Sequence, residues 1–397
     1  MRPEQPLKIG VASLTRFHMF DLAREMGRLR QRVTLFSGYP AFKVDDDLRP
    51  FARTRPWWLL ASRLRAMVPP APRANRWNNL AFEDFGRWMR RQVSRLGLDV
   101  LDALDGTGLE AGRWMRDHGG TWICNRGSAH VLTQKELLEE EFTRWGEKLP
   151  ASAFDPQAVS RCVAEYEEAD AVVVPSQFAR RSFLERGFAP GRVHVCPYGV
   201  DLSMFRPEPK QDDKFRVLFV GAQSIQKGIG YLFDAVRPLV RAGAAEVWLV
   251  GTATPDAEKI LARNADLFTA HCSQPRDRLS WYYSQASVLV LPSIQEGLAL
   301  VQAQAMACGV PVIASAHTGG EDLFTDGVEG FIVPVRDPAA IRAALLWMLE
   351  NPRGRETMAE AALQRVRTLG GWREYGQRCL NMYHAVRFGA VATANEA

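Results

Sequence analysis

PSIQEGLALVQAQAMACGVP, residues Pro292 to Pro311, follows directly on the apolar run VLVLP (288–292) and decides the fold. The apolar run is a buried strand. Glu296 stands in the loop past the strand's carboxyl end, and Gly297 beside it lets backbone come close to a ligand. A helix is predicted from about Leu298, closed by Gly309 with Pro311 two residues on, which is a helix-stop signature. In open parallel sheets, ligands bind where strands end and helices begin. A helix N-terminus there offers free amides and a partial positive charge, both suited to phosphate. A carboxylate beside such a pocket suits a ligand with phosphate and hydroxyl groups, as a nucleotide sugar has. The plainer reading of Glu296 is a surface glutamate near a helix start.

Working outward, short apolar runs alternate with amphipathic stretches. KIGVAS (8–13), RVTLFSG (32–38), LDVLDAL (98–104), TWICN (121–125), AVVVPS (171–176) and VHVCP (193–197) are predicted strands, and His18 to Arg30 a helix. YGVDLSMFRPEPKQDDKF (198–215) is polar and proline-bearing and breaks the rhythm as a linker. RVLFVG (216–221), EVWLVG (246–251), SVLVLP (287–292), PVIAS (311–315) and FIVP (331–334) restart it. The pattern predicts an α/β protein of two doubly wound parallel-sheet domains facing a cleft. The expected boundaries are 1–197, 208–370, and a C-terminal helix over 371–388.

Bulk properties agree. The chain has 397 residues, 47% hydrophobic and 24% charged, enough for two ordinary domains. A net charge of +5 does not suggest a nucleic-acid partner. The six cysteines lie far apart with no CxxC spacing, so a metal site is not expected and a reducing, cytoplasmic setting is. MRPEQPLKIGVAS enters a strand at once, with no signal-peptide core. No apolar run approaches the ~20 residues of a membrane span.

One stretch departs from the rhythm. Between Arg49 and Arg76 seven arginines, among them Arg63 and Arg65, are interleaved with Trp57, Trp58 and leucines, with no acidic residue. Arginine with tryptophan is what an anionic bilayer surface attracts. A basic loop with a few core-facing aromatics is the competing reading.

Five further constellations bear on chemistry. GAQSIQKG (221–228) follows a strand, so Lys227 and the loop at Gly221 are expected at a helix mouth holding phosphate; it is not a Walker A loop, since Gly228 replaces the magnesium-binding hydroxyl. In NRGSAHV (125–131), Arg126 and His130 follow a strand, and His130 suits an acid, base or hydrogen-bond donor. DGTGLEAG (105–112) misses a dinucleotide fingerprint by one position; Gly106 and Gly108 are expected in a turn at the cleft, touching the acceptor. Asp45-Asp46-Asp47 reads as a solvated turn rather than a metal site. HTGGED (317–322) offers Gly319 and Gly320 as an anion nest or a plain glycine turn.

YGVDLSMFRP, FVGAQSIQKGIGYLFDAV, the 288–315 stretch and DGVEGFIVPVRDPAAI together resemble the nucleotide-binding half of the retaining GT-B glycosyltransferases of group 1 and family 4. The resemblance is clear over roughly 165–350 and thinner before it. It implies two Rossmann-like domains and a C-terminal helix crossing back to the first. By resemblance Glu296 contacts the donor sugar, and the family's second glutamate falls on Gln304, which could accept from one ribose hydroxyl and donate to the other. The family's diphosphate arginine falls on Ala222, while its partner Lys227 is kept. Gly297, Leu298, Ala299 and Leu300 would supply amides, Arg126 a further cation, and His130 the first-domain histidine that reaches the donor.

The implied reaction moves a hexosyl unit from a UDP- or GDP-sugar to a hydroxyl of a glycan or lipid-linked acceptor with retention. It implies no cofactor and no metal, since Lys227 and the helix amides supply the positive charge; the Arg–Trp stretch adds an expectation of work at the inner membrane face, in surface polysaccharide or glycolipid synthesis. The rival is a weakly active or inactive glycan-binding or scaffold subunit, for which Ala222 and Gln304 speak.

Overall fold

The computed structural model describes residues 5–58 and 74–389. Two fully parallel sheets form. The first holds β1 (Lys8–Ser13), β2 (Arg32–Ser37), β3 (Ala52–Thr54), β4 (Val100–Leu104), β5 (Thr121–Asn125), β6 (Ala171–Val174) and β7 (Val193–Val195), in the order β3-β2-β1-β4-β5-β6-β7. The second holds β8 (Arg216–Val220), β9 (Glu246–Val250), β10 (Thr269–His271), β11 (Val288–Leu291), β12 (Val312–Ser315) and β13 (Gly330–Val333), in the order β10-β9-β8-β11-β12-β13. This is the doubly wound α/β architecture expected from the rhythm.

Burial explains why these runs become strands. β8 and β11 are buried at every position, as strands covered by helices on both faces must be. Val217, Leu218 and Phe219 are 0% exposed, and each such side chain contributes about 2 kcal/mol of apolar transfer. The two strands missing from the sequence reading, β3 and β10, are three-residue edge strands with partly exposed side chains. Their polar residues carry no apolar signal, and pairing with β2 and β9 alone defines them.

Strand order positions the site. β1 lies between β2 and β4, and β8 between β9 and β11. At each of these points successive crossovers leave in opposite directions, which opens a crevice past the carboxyl ends of the strands. Segments leaving β1, β5, β8 and β11 therefore converge on one gap between the domains.

The helix Trp372–Phe388 returns to the first domain. Tyr383 Oη donates to Asp102 Oδ2 at 2.6 Å, and Arg387 donates to the Asp99 carbonyl at 2.8 Å. The 198–215 stretch has no regular secondary structure but is anchored, with Phe205 1% exposed and the Arg206 and Glu208 amides donating to Ser280 and Ser284. Asp45 and Asp47 are not merely solvated: both carboxylates bind Arg24. Among the described residues no helix is long and apolar enough to cross a membrane.

Candidate active site

After β8 the chain makes a tight loop to the helix Ile229–Arg241. Gly228 opens that helix at φ 68°, and a Cβ there would sit 2.1 Å from the Pro292 carbonyl oxygen. Only glycine fits, and its close approach holds Lys227 beside the segment that leaves β11. The Lys227 ammonium forms an ion pair with Glu296 Oε1, both side chains largely buried. Residues 69 positions apart are thus joined by the sheet order.

The loop after β11 also meets the first domain. A Cβ on Gly297 would lie 2.0 Å from the Gly127 carbonyl oxygen. Ser176 Oγ donates to the Gly297 carbonyl at 2.6 Å, and Gln295 Nε2 donates to Ser128 Oγ at 2.6 Å. The two domains are in contact at the edge of the site.

Between them lies a cavity of about 310 Å³. The second domain lines it with Lys227, Arg276, the 296–301 segment and Gln304; the first contributes Phe17, His18, Asp21 and Gly127; the linker adds Tyr198 and the crossing helix Trp372. The helix beyond Glu296 starts at Leu300, two residues later than predicted. Leu298 and Ala299 form the turn before it, and the Ala299 amide already donates to the Thr318 carbonyl at 3.2 Å. Leu300 and Val301, whose first-turn amides lack intrahelical acceptors, line the cavity.

Gln304 lines the cavity, but its carbonyl oxygen accepts from Tyr283 Oη at 2.8 Å. One acceptor position of that oxygen is thus taken, which leaves its second lone pair and the amide nitrogen for a ligand.

Several expected residues are elsewhere. His130 caps the helix Val131–Arg144, its Nδ1 accepting from the Leu132 amide at 3.2 Å, and its ring packs against Tyr166 and Phe183. Burial, with the charges of Arg186 and Arg126, lowers its pKa to about 3. It is a neutral structural histidine and does not line the cavity. Arg126 is bound by Asp105 at 2.7 Å and by the Ala129 carbonyl, and it lines a neighbouring cavity. Gly221 lies behind Lys227, a Cβ there standing 4.0 Å from the lysine Cε.

Gly106 and Gly108 do form an amide cradle, but the protein fills it. Glu165 accepts from the Gly106, Gly108 and Leu109 amides at 2.6, 2.9 and 2.9 Å. A fully buried carboxylate needs such donors, and burial still raises its pKa to about 8. Gly319 and Gly320 lie behind the 297–299 turn, Gly319 against Leu298 and the Gly297 carbonyl. The next residues tie the domains: Glu321 pairs with Arg181, and Asp322 accepts from the Gln177 amide.

Trp57 is exposed, and Trp58 donates its indole N–H to Asp84 at 2.8 Å. Arg63 and Arg65 lie outside the described residues.

Sequence reasoning missed His18. It is 5% exposed, follows β1 and lines the cavity. Its Nε2 bonds Asn125 Oδ1 at 2.8 Å, while Nδ1 has no partner among the described residues. Since an amide oxygen only accepts, Nε2 carries the proton. Burial lowers the pKa to about 4, against the pull of Asn125 and Asp105. Asp21, Tyr198, Arg276 and Trp372 were missed too; no local pattern marks them, and only the strand order brings them together. Among the described residues no group of three or more His, Cys, Asp or Glu side chains is arranged to hold a metal ion.

Residues 214–351 match the family model described as Glycosyl transferases group 1, and residues 16–204 match Glycosyltransferase Family 4. The chain is 34% identical over 260 residues to a D-inositol 3-phosphate glycosyltransferase of Thermomonospora curvata, covering 57% of this chain and 59% of that one. It is 29% identical to the protein of the same description from Nocardiopsis dassonvillei, covering 68% and 70%. The matches thus span between about half and about two thirds of the length of these curated relatives. Sucrose-phosphate synthase from Thermosynechococcus elongatus shares the fold, with a TM-score of 0.73 at 21% identity over 98% of this chain and 100% of that one. So does Anabaena HepE in complex with UDP-glucose, at 0.65 and 15% over 96% and 100%.

Proposed function

Because this chain belongs to the glycosyltransferases of group 1 and family 4, we propose that it moves a hexosyl unit from a UDP- or GDP-sugar to a hydroxyl of a glycan or lipid-linked acceptor, with retention at the anomeric carbon. One observation carries the reading: Lys227 and Glu296 meet in the interdomain cavity, beside Gln304 and the first turn of the helix Leu300–Ala307.

In this reading the ion pair opens when donor arrives. Lys227 turns to the diphosphate, exchanging one anionic partner for another, and Glu296 turns to the sugar hydroxyls, which donate to its carboxylate, so neither is left buried and unpaired. The Gln304 amide nitrogen donates to the ribose. The bond from C1 to the phosphate oxygen breaks, a bond from C1 to the acceptor oxygen forms, and the acceptor's proton passes to the departing phosphate. Lys227 and the first-turn amides stabilise the charge that develops there. The chain's remaining work is positioning and exclusion of water by the closed domains. No cofactor enters this scheme, and the positive charge that stabilises the anionic leaving group comes from the protein.

A cytoplasmic enzyme acting peripherally at the membrane, in surface polysaccharide or glycolipid synthesis, accords with the exposed Trp57 and the arginines around it. A binding subunit without turnover is the second reading, supported by Ala222 and by Tyr283 occupying the Gln304 oxygen. Incubation with a panel of UDP- and GDP-sugars, with the anomeric product followed by NMR, tests both. Turnover or slow donor hydrolysis is expected; tight binding without either would favour the second reading, and no binding would refute both.

A further inference from the structure

Beside the donor cavity lies a second one of about 420 Å³ that the proposed reaction leaves unused. The wall between them is thin. Arg126 and Gln226 line the second cavity, while their chain neighbours Gly127 and Lys227 line the first. Anything held in the second cavity is therefore within one residue's width of the donor's phosphates.

Its walls are mostly apolar: Val131, Leu138, Phe142, Leu149, Phe154 and Val159. Its charges are already satisfied. Arg126 is paired with Asp105. Asp155 caps the helix Pro156–Glu168 and accepts from Asn79 at 2.7 Å. A site built for an anion would keep an uncompensated cation, whereas these walls favour hydrocarbon.

The rim faces an exposed aromatic patch. Asn79, which binds Asp155, shares a helix with Trp77 and Leu80, and both of these are exposed. Trp77 stacks edge-on against Trp58, and Trp57 beside it is 67% exposed. Exposed tryptophans suit the headgroup region of a bilayer.

We infer that this second cavity holds the apolar part of the acceptor, so that the acceptor is an amphipathic lipid whose hydroxyl is presented across the Arg126–Gly127 wall to the donor. The inference rests on the transferase reading for its purpose, but not for its test.

The probes are methyl, octyl and dodecyl β-glucoside, measured by calorimetry below their micelle concentrations. Dodecyl glucoside should bind at least tenfold more tightly than octyl glucoside, and methyl glucoside undetectably. Ala158→Trp, which fills the cavity, and Ser152→Trp, at its exposed rim, should each weaken dodecyl glucoside at least tenfold. UDP and GDP binding, measured in the same samples, reports an intact donor cleft. Where Ala158→Trp loses nucleotide binding as well, the rim variant decides. Binding that ignores chain length, or that survives Ser152→Trp unchanged, overturns the inference. Chain-length-dependent binding in a protein that takes no nucleotide would instead sink the transferase reading and leave the lipid site standing.

Discussion

Glu141 of the first domain and Arg336 of the second meet across the interdomain boundary, Oε2 to Nε at 2.6 Å, with the carboxylate fully buried. The other Glu141 oxygen accepts from Trp145 Nε1 at 2.7 Å and from Tyr231 Oη at 2.8 Å. Two domains thus share one buried carboxylate. Three other interdomain pairs, Arg336 with Glu140, Arg181 with Glu321 and Lys259 with Glu147, are more exposed.

Removing one partner of a buried pair strands the other, at a cost of about 3 kcal/mol. Arg336→Ala should lower unfolding stability by that order in urea denaturation and open the cleft in small-angle scattering. Arg181→Ala should cost at most about 0.5 kcal/mol, because its partner is solvated. Equal effects from both would show that burial is not what distinguishes them.

Lys227→Ala and Glu296→Ala should each reduce transfer by about 100-fold or more, the scale seen when a preorganised charge-stabilising group is lost. Thermal midpoints should move less than for Arg336→Ala, since both side chains line the cavity and water can reach the partner left behind. Steady-state kinetics beside melting curves check this. Full activity in both variants would remove the pair from the site.

Gly297→Ala places a methyl group 2.0 Å from the Gly127 carbonyl in the present arrangement. Backbone cannot yield as a flexible side chain does, so the domains must separate locally. Transfer should fall while each domain stays folded, with far-UV circular dichroism unchanged.

Gln304→Glu restores a charge beside the proposed ribose position while still accepting from Tyr283. A charge-assisted bond gains about 1 kcal/mol over a neutral one, so calorimetry should show nucleotide bound roughly fivefold more tightly. Tyr283→Phe frees the Gln304 oxygen to accept from the ribose and should tighten nucleotide binding in the same measurement.

Asp102 and His18 make opposite contributions to the pH dependence of stability. Burial raises the Asp102 pKa to about 7, so between its ordinary value and 7 the folded state holds a proton that the unfolded state lacks, and stability falls as pH rises. His18, lowered to about 4, is neutral when folded and protonated when unfolded between 4 and its ordinary value, so its contribution rises with pH and is lost as pH falls through about 4. Asp102→Asn removes the first contribution alone. Its stability relative to the parent should rise between pH 4 and 7, by at most about 1.4 kcal/mol per pH unit. Denaturant midpoints across that range give the slope; a parallel pair of curves would contradict the assignment.

The apolar periodicity was sufficient to give the two parallel sheets and to put Lys227 and Glu296 in the loops after β8 and β11. Strands buried on both faces need continuous apolar runs, and a ligand-binding helix start needs glycine and a polar residue at fixed positions, so both leave local marks. Pairings between distant segments leave none. His130 and His18 each open a helix after a strand, but the packing of Tyr166 and Phe183 buries one as a cap, while the place of β1 at the sheet's reversal turns the other to the cleft. Nothing near Gly106 shows that its amides are taken by Glu165, which lies 59 residues away. Tyr283 on the Gln304 oxygen and Arg336 on Glu141 are likewise products of packing. Chain order determined the elements and the chemistry of each loop; which loop groups stay free for a ligand was decided only when buried charges and donors from elsewhere in the fold had found their partners.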